Sequence, residues 1–234
     1  MNVLAFDTCF GAVSAAVRWR SERGEWLLRE SYQTLAVGHA ERLLPIIDEV
    51  MSAAGLGYGQ LDRIAVTLGP GGFTGLRVGI ATARALALAT GLPIVGISSL
   101  AIMAERANLL LGDKRAGRPI VVAVDARRGA LYVQSFGDNA GDPLSEPQLL
   151  SVDEAAASLP ASPLIIVGSG GPLLQTSFTR AGQESLLPEL QPHARQLVLL
   201  APALAPMHPV VPLYLRAADA KPPSAQPLPR RTGP

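Results

Sequence analysis

The sequence has little cysteine, few aromatic residues and no long hydrophobic run. Of its 234 residues only Cys9 is a cysteine, and 5% are aromatic. A single cysteine excludes an intrachain disulfide framework and a thiolate-rich zinc site, and it fits a reducing compartment. Hydrophobic residues still make up 48% of the chain, so the sequence predicts a folded protein with a largely aliphatic core.

The sequence also lacks a segment that would target it to a membrane. Its longest apolar stretch, Leu197–Met207, contains two prolines and is shorter than the ~18 residues that a span requires. The first residues carry no basic start and reach a carboxylate at Asp7, unlike a secretory signal. We therefore expect a cytoplasmic protein that does not contact membranes.

The charge balance disfavours a protein that binds nucleic acid by itself. The chain has 20 Lys and Arg against 19 Asp and Glu, a net charge of +1. The residues from Arg216 onward carry +3, which leaves −2 on the rest of the chain. Nucleic-acid binders draw affinity from clustered cations that neutralise phosphates. We therefore expect no strong nucleic-acid binding by this chain alone.

Hydropathy patterns predict an α/β layout in the first hundred residues. The predicted order is βββαβαβ: strands Asn2–Asp7, Ala12–Trp19 and Trp26–Thr34, helix His39–Ala54, strand Leu61–Leu68, helix Phe73–Thr90 and strand Pro93–Ile97. Glycines at Gly55 and Gly91 are placed to end the two helices.

The pattern partly restarts after residue 100. It predicts a helix at Ser99–Leu111 and strands at Pro119–Val124, Ala130–Phe136 and Leu164–Gly168. The predicted domains are residues 1–100, residues 101–220 and a proline-rich disordered tail, 221–234.

A glycine-rich segment, Gly69–Gly75, invites comparison with phosphate-binding loops. A Walker loop needs a lysine where Leu76 follows Gly75, and a dinucleotide loop needs glycine where Thr74 stands. The remaining interpretation is a tight turn between strand and helix. Asp7 and Thr8 at a strand end could still hold a phosphate or hydrated Mg²⁺, or could simply cap a turn.

The two long helices carry more apolar surface than one sheet contact needs. In the second, Gly75, Gly79, Ala83 and Ala87 form a stripe of small residues that would allow another backbone to approach closely. In the first, Pro45 lies inside the helix and should bend it. The pattern fits core packing, but its repetition on both helices favours a protein–protein surface.

Several motifs resemble the bacterial TsaB (YeaZ) family. They are Leu4–Thr8, His39–Pro45, Gly69–Gly79, Val124–Arg128 and Leu213–Lys221. The resemblance implies an actin-like fold of the sugar-kinase and heat-shock-protein superfamily, with two RNase H-like lobes of which the second is reduced. It also implies a role in forming threonylcarbamoyladenosine next to the tRNA anticodon, as a diverged, non-catalytic sister of the transferase TsaD, together with the ATPase TsaE.

Departures from the sister enzyme support a non-catalytic assignment. Ser99 and Met103 stand where TsaD has the two histidines of a metal motif, and neither is a plausible replacement ligand. We expect no catalytic residue, metal or cofactor in this chain, with ATP and a divalent metal in the partner subunits. Asp7, Thr8, Gly71 and Gly72 would be a vestigial nucleotide site.

The resemblance implies that the two long helices pack against the equivalent pair of TsaD. The expected interface residues are Leu43, Leu44, Ile47, Val50, Met51, Leu76 and Ile80, with Arg77 and Arg84 at the polar edges. The same surface could form a homodimer when TsaD is absent, and tRNA would be met only through the complex.

Three alternatives remain open. The chain could be a residual nucleotide-binding transferase using Asp7, Thr8 and the glycine loop. It could be a glycoprotease-like metallopeptidase. It could also bind tRNA directly through Arg127, Arg128 and the basic C-terminus.

Overall fold

Two five-stranded sheets organise the chain in the computed structural model, which describes residues 1–137, 142–160, 162–176 and 181–216. The first half contains β1 Val3–Asp7, β2 Ala12–Arg20, β3 Trp26–Thr34, α1 His39–Ala54, β4 Arg63–Thr67, α2 Phe73–Thr90 and β5 Ile94–Ile97. The second contains α3 Ser99–Leu111, β6 Ile120–Asp125, β7 Ala130–Phe136, β8 Gln148–Ser151, α4 Val152–Ser158, β9 Leu164–Val167, α5 Gly171–Gln175, β10 Gln183–Leu186 and α6 Ala194–Leu200. The predicted tail, 221–234, lies outside the described residues.

The second sheet repeats the strand order of the first. The first sheet runs β3-β2-β1-β4-β5, and the second runs β8-β7-β6-β9-β10. In each, three antiparallel strands are followed by two that run parallel to the first of them. This duplicated order confirms the predicted actin-like fold of two RNase H-like lobes.

Burial explains the sequence of the central strand. All five residues of β1 are buried, which is why the strand is apolar almost throughout instead of alternating. Leu4 and Phe6 face one core cluster, whereas Val3 and Ala5 face another on the opposite side of the sheet. Each face of the first sheet must therefore be covered by other elements.

The helices of the second lobe are much shorter than those of the first. The helix between the third and fourth strands has 16 residues in the first lobe and seven in the second. The helix between the fourth and fifth strands has 18 and five. The second lobe is thus reduced, as predicted.

The two lobes exchange helices. The helix α3 follows the first sheet, yet most of its buried side chains pack with the strands of the second sheet, while Ile102 packs with the first. The helix α6 follows the second sheet, yet Ala194, Leu197 and Val198 pack against β1 and β2 of the first. The predicted boundary at residue 100 therefore separates the two sheets, but the predicted domain 101–220 contains a helix that completes the first lobe.

The helix ends follow the glycine signals in the sequence. Gly55 and Gly91 have φ values of 66° and 74° and lie directly after α1 and α2, a left-handed conformation that glycine adopts without a steric penalty. The helix α1 runs through Pro45 without interruption. Within the described ranges, no helix is both long and apolar enough to cross a bilayer.

Candidate functional site

The helices α1 and α2 lie side by side on one face of the first sheet and share its core cluster. Most of the residues predicted to anchor a partner are buried there: Leu43, Ile47, Val50, Met51, Leu76 and Ile80. These side chains are covered by the chain's own core, so they cannot also form the surface that a partner covers. The predicted interface is corrected accordingly, and of its aliphatic members only Leu44 remains exposed.

The opposite side of the helix pair is exposed and largely apolar. Leu88 is 90% exposed and Leu44 is 52% exposed. Phe73, Ala81 and Ala85 are also exposed. On α2, Ala81, Ala85 and Leu88 lie on one side because they are spaced four and three residues apart, and Phe73 lies two turns before Ala81. We call these five residues the outer face.

The stripe of small residues on α2 faces inward. A Cβ atom at Gly75 would collide with the carbonyl oxygen of Thr8, and one at Gly79 would lie 2.7 Å from the Thr8 hydroxyl oxygen. The backbone that approaches this stripe is therefore the chain's own loop after β1, which corrects the prediction that the stripe serves a second chain.

Both arginines of α2 hold the C-terminal segment. The Arg77 Nε donates a hydrogen bond of 3.1 Å to the Tyr214 hydroxyl, and the Arg84 Nε donates one of 3.1 Å to the carbonyl of Val210. Arg77 also lies over the Phe73 ring, 3.6 Å from its centroid. These contacts place Arg77 and Arg84 beside the outer face and give each of them a partner within the chain; their predicted place at the polar edges of an interface with TsaD stays a prediction.

The predicted nucleotide residues are used internally. The Thr8 hydroxyl donates to the carbonyl of Gly75 at 2.7 Å, and the Gly72 amide donates to the carbonyl of Cys9 at 2.7 Å. A Cβ atom at Gly71 would lie 2.5 Å from the same carbonyl oxygen. The Thr8 hydroxyl and the Gly72 amide therefore have partners within the chain, although Thr8, Gly71 and Gly72 all line the cleft between the lobes that is described below.

Asp7 is fully buried beneath this loop. One carboxylate oxygen, Oδ1, accepts a 2.5 Å hydrogen bond from the Thr67 hydroxyl, while the other, Oδ2, has no hydrogen-bond partner among the described residues. Burial raises the pKa of the Asp7 carboxyl above its ordinary value, against the opposing effect of the Thr67 hydrogen bond. Burial also raises the pKa of the neighbouring Cys9 thiol well above its ordinary value, which argues against a nucleophilic thiolate here.

The two positions that the resemblance to TsaD predicts at its metal-binding histidines have structural contacts here. The Ser99 hydroxyl donates to the carbonyl of Pro70 at 2.5 Å, and Met103 lies in the core of the second lobe. Among the described residues, no three His, Cys, Asp or Glu side chains come close enough to hold a metal ion together. The metallopeptidase alternative therefore finds no ligand set in this part of the chain.

A cleft of about 910 Å³ separates the two lobes. The loop after β1, the start of α2, the turn after β6 and residues 213–216 all line it. Of the two arginines in the Val124–Arg128 motif, Arg127 lies in its wall. Arg127 and Arg128 have positive φ values of 63° and 58°, a conformation that is uncommon outside glycine.

Sequence reasoning missed the residues that close one side of this cleft. Arg216 donates from Nη1 to the carbonyl of Ala126 at 2.9 Å and from Nη2 to the carbonyl of Arg127 at 3.3 Å. Tyr214 packs against Phe73 with 5.4 Å between the ring centroids. The motif Leu213–Lys221 contained both residues, but its last part, 217–221, lies outside the described residues.

Comparison with known proteins finds similarity to proteins named for tRNA modification. The family model described as "TsaD: tRNA N6-adenosine threonylcarbamoyltransferase" matches residues 33–183. The tRNA threonylcarbamoyladenosine biosynthesis protein TsaB of Haemophilus influenzae is 39% identical over 56% of this chain and 52% of its own length. The chain thus spans about half the length of the first curated relatives it matches.

Two further relatives match over nearly the whole chain. An uncharacterized protein of Mycobacterium bovis is 34% identical over 94% of both chains. A crystal structure described as an uncharacterized protein with similarity to peptidase YeaZ from Pseudomonas aeruginosa is 28% identical and covers 92% of this chain and 99% of its own, with a TM-score of 0.78. Their coverage includes both lobes.

Proposed function

The chain belongs to the TsaB (YeaZ) family, and we propose that it is a non-catalytic subunit that binds and activates the transferase TsaD. TsaD would transfer the threonylcarbamoyl group to the anticodon-adjacent adenosine of tRNA. In this proposal TsaE joins the pair, tRNA is met only through the complex, and the assembly works in the cytoplasm. ATP and a divalent metal would belong to the partner subunits.

The observation that carries the proposal is the outer face. Leu88 is 90% exposed, and Ala81 and Ala85 on the same side of α2 are small enough to let another helix approach closely. Burying one leucine stabilises an interface by roughly 1.5–3 kcal/mol. Exposed apolar side chains along α2, with Leu44 on the adjacent α1, form a surface that a second protein would cover.

The shared family explains why TsaD would be the partner. A TsaD family model matches this chain over residues 33–183, a range that includes α1 and α2. Related folds present related surfaces, so the equivalent helix pair of TsaD could meet the outer face across a pseudo-twofold axis. The same argument allows a homodimer when TsaD is absent.

A non-catalytic role is supported by the chemistry of the buried groups. Asp7 is shielded from the cleft, Thr8 and Gly72 are hydrogen bonded within the chain, and Met103 is a core residue. Catalysis needs a group that reaches the reacting atoms. Thr8 and Gly72 line the cleft, but the Thr8 hydroxyl and the Gly72 amide already have hydrogen-bond acceptors within the chain, and Asp7 and Met103 are not part of the cleft lining.

Replacing Leu88 by glutamate tests the proposed interface. The L88E variant should fold normally, because this side chain is almost fully exposed, and should bind TsaD at least about tenfold more weakly, because a buried unpaired carboxylate is costly. The matched control is L109E on α3, where Leu109 is 65% exposed on a different helix face. Equal binding of L88E and the wild type, measured by calorimetry, would refute the interface.

The activating role needs a separate experiment. This chain, TsaD, TsaE, ATP, a divalent metal and tRNA are mixed, and each protein is omitted in turn. We expect modified tRNA only when this chain and TsaD are both present, and none from this chain alone. Modification at the full rate without this chain would contradict the proposal.

A further inference from the structure

The last described segment, residues 207–216, runs across both lobes, and we call it the strap. Its Met207 amide donates to the carbonyl of Ile94 at 2.9 Å, and its Leu213 amide donates to the carbonyl of Leu68 at 2.7 Å. Val210 is buried in the core of the first lobe, whereas Leu215 packs against the core of the second. The strap is therefore attached to both hydrophobic cores.

One side of the strap is fastened to α2 next to the outer face. Arg84 binds the carbonyl of Val210, and Arg77 binds the Tyr214 hydroxyl at 3.1 Å. The Tyr214 ring packs on Phe73, which belongs to the outer face. A protein that covers the outer face would thus meet Phe73 directly and change the surroundings of Arg77.

The other side of the strap is fastened to the turn between β6 and β7. Arg216 donates to the carbonyls of Ala126 and Arg127. Within that turn, the Ala126 amide donates to the carbonyl of Ala130 at 2.9 Å and the Arg127 amide donates to the Asp125 carboxylate at 2.7 Å. Only Leu215 separates Tyr214 from Arg216 along the chain, so a displacement of Tyr214 would also displace Arg216.

The strap has the properties of an element that can move without global unfolding. Val210 is its one buried residue, while Val211 and Tyr214 are exposed. Segments with few buried contacts and exposed hydrogen bonds open at a low free energy. A displaced strap would release Arg216 and leave the turn at 126–130 less restrained.

From these contacts we propose that the strap couples the outer face of α2 to the turn at 126–130 and so to the cleft between the lobes. Protein binding on the outer face would change the turn through Tyr214 and Arg216, and by linkage the state of the turn would change the affinity of the outer face. This inference rests on the proposed function for the identity of the bound protein, but not for the coupling itself.

Hydrogen exchange on the isolated chain tests the coupling without any partner. Tyr214→Phe removes only the hydroxyl that Arg77 binds and keeps the ring on Phe73. It should raise the exchange rates of the amides in 126–130 by about fivefold or more, the lower end of typical coupling. The matched control is Val211→Ala, an exposed strap position, which should leave them unchanged. Unchanged rates in Tyr214→Phe overturn the coupling.

Binding measurements then test the reverse direction. Arg216→Gln alters the strap at its second-lobe end, away from the outer face, and should weaken binding of TsaD by about fivefold or more. Wild-type affinity in Arg216→Gln overturns the coupling. If the wild-type chain itself does not bind TsaD, the proposed function fails instead, and the exchange experiment still decides the coupling.

Discussion

At the scale of single residues, the most unusual group is Asp7. It is a buried carboxylate with one oxygen bound to Thr67 and the other without a partner. A buried charge without a neighbouring cation costs stability. The ionised Asp7 carboxylate thus destabilises the folded state at neutral pH.

We predict that Asp7→Asn stabilises the protein at pH 7 by roughly 1–2 kcal/mol. Because the pKa of Asp7 is raised on folding, its carboxyl favours the folded state below the ordinary value of 3.8 and disfavours it as pH rises through the folded value. The difference in the free energy of unfolding between the variant and the wild type should therefore shrink as pH falls towards 3.8. Thermal unfolding of both proteins across pH measures it, and a gain that does not vary with pH would contradict this account.

His193 should give a pH dependence of the opposite sign. Its Nδ1 accepts the Arg195 amide at the start of α6, its ring stacks on Tyr32 at 4.8 Å, and burial lowers the pKa of His193 to about 4. Stability from the neutral ring is therefore present above pH 6.5 and is lost as pH falls from 6.5 towards 4.

We predict that His193→Asn removes this acid-sensitive part of the stability curve. Asparagine keeps an oxygen that can cap α6, but it has no group that titrates. The melting temperature of the wild type should fall more steeply between pH 6.5 and pH 4 than that of the variant. Parallel curves would show that His193 does not control this window.

At the scale of elements, the most restrictive contact of α2 is the one with the loop after β1. Gly75 and Gly79 allow this helix of 18 residues to approach Thr8 directly, because a Cβ atom at either position would collide with an atom of Thr8. The sequence predicted the helix bounds correctly, since its signals are local. It could not show which side of the helix is buried, because both sides are apolar.

We predict that Gly75→Ala destabilises the fold by about 1–3 kcal/mol, because its Cβ atom would meet backbone that cannot move aside. The control is Gly59→Ala, where no atom lies within 4 Å of the added Cβ, and where we expect a change within about 0.5 kcal/mol. Denaturant titration of both variants gives the comparison. A Gly75→Ala protein as stable as Gly59→Ala would show that α2 can shift away from Thr8.

The short elements of the second lobe were missed for a related reason. β8, β10, α4 and α5 have four to seven residues, too few for a hydrophobic period to be recognised. Only α4 carried a usable local signal, the capping box between Ser151 and Glu154. The prediction of the buried interface residues was wrong for a different reason. An apolar helix face has the same sequence pattern whether its own sheet or another protein covers it.

At the scale of the whole molecule, the exchange of α3 and α6 makes the lobes depend on each other. Leu197 of α6 is fully buried against the first sheet, whereas Leu199 on the same helix is half exposed. No sequence pattern predicted this exchange, because it depends on contacts between residues nearly two hundred positions apart.

We predict that Leu197→Asp unfolds both lobes in one transition, since an unpaired carboxylate in this core is costly. Leu199→Asp on the same helix should leave the melting temperature nearly unchanged. Calorimetry, together with hydrogen exchange of the second sheet, measures both. If Leu197→Asp unfolds the first sheet while the second keeps its protection, the lobes are independent.

The position of α6 also has a consequence during protein synthesis. The strands of the first sheet leave the ribosome early, but the helix that covers one of its faces is made only after residue 193. Until then that face stays open to water and to other nascent chains. A chain whose synthesis stops before α6 is made therefore exposes an apolar face of the first sheet. Cellular quality control can recognise this exposed face and degrade the truncated product before it competes with the complete protein for partners.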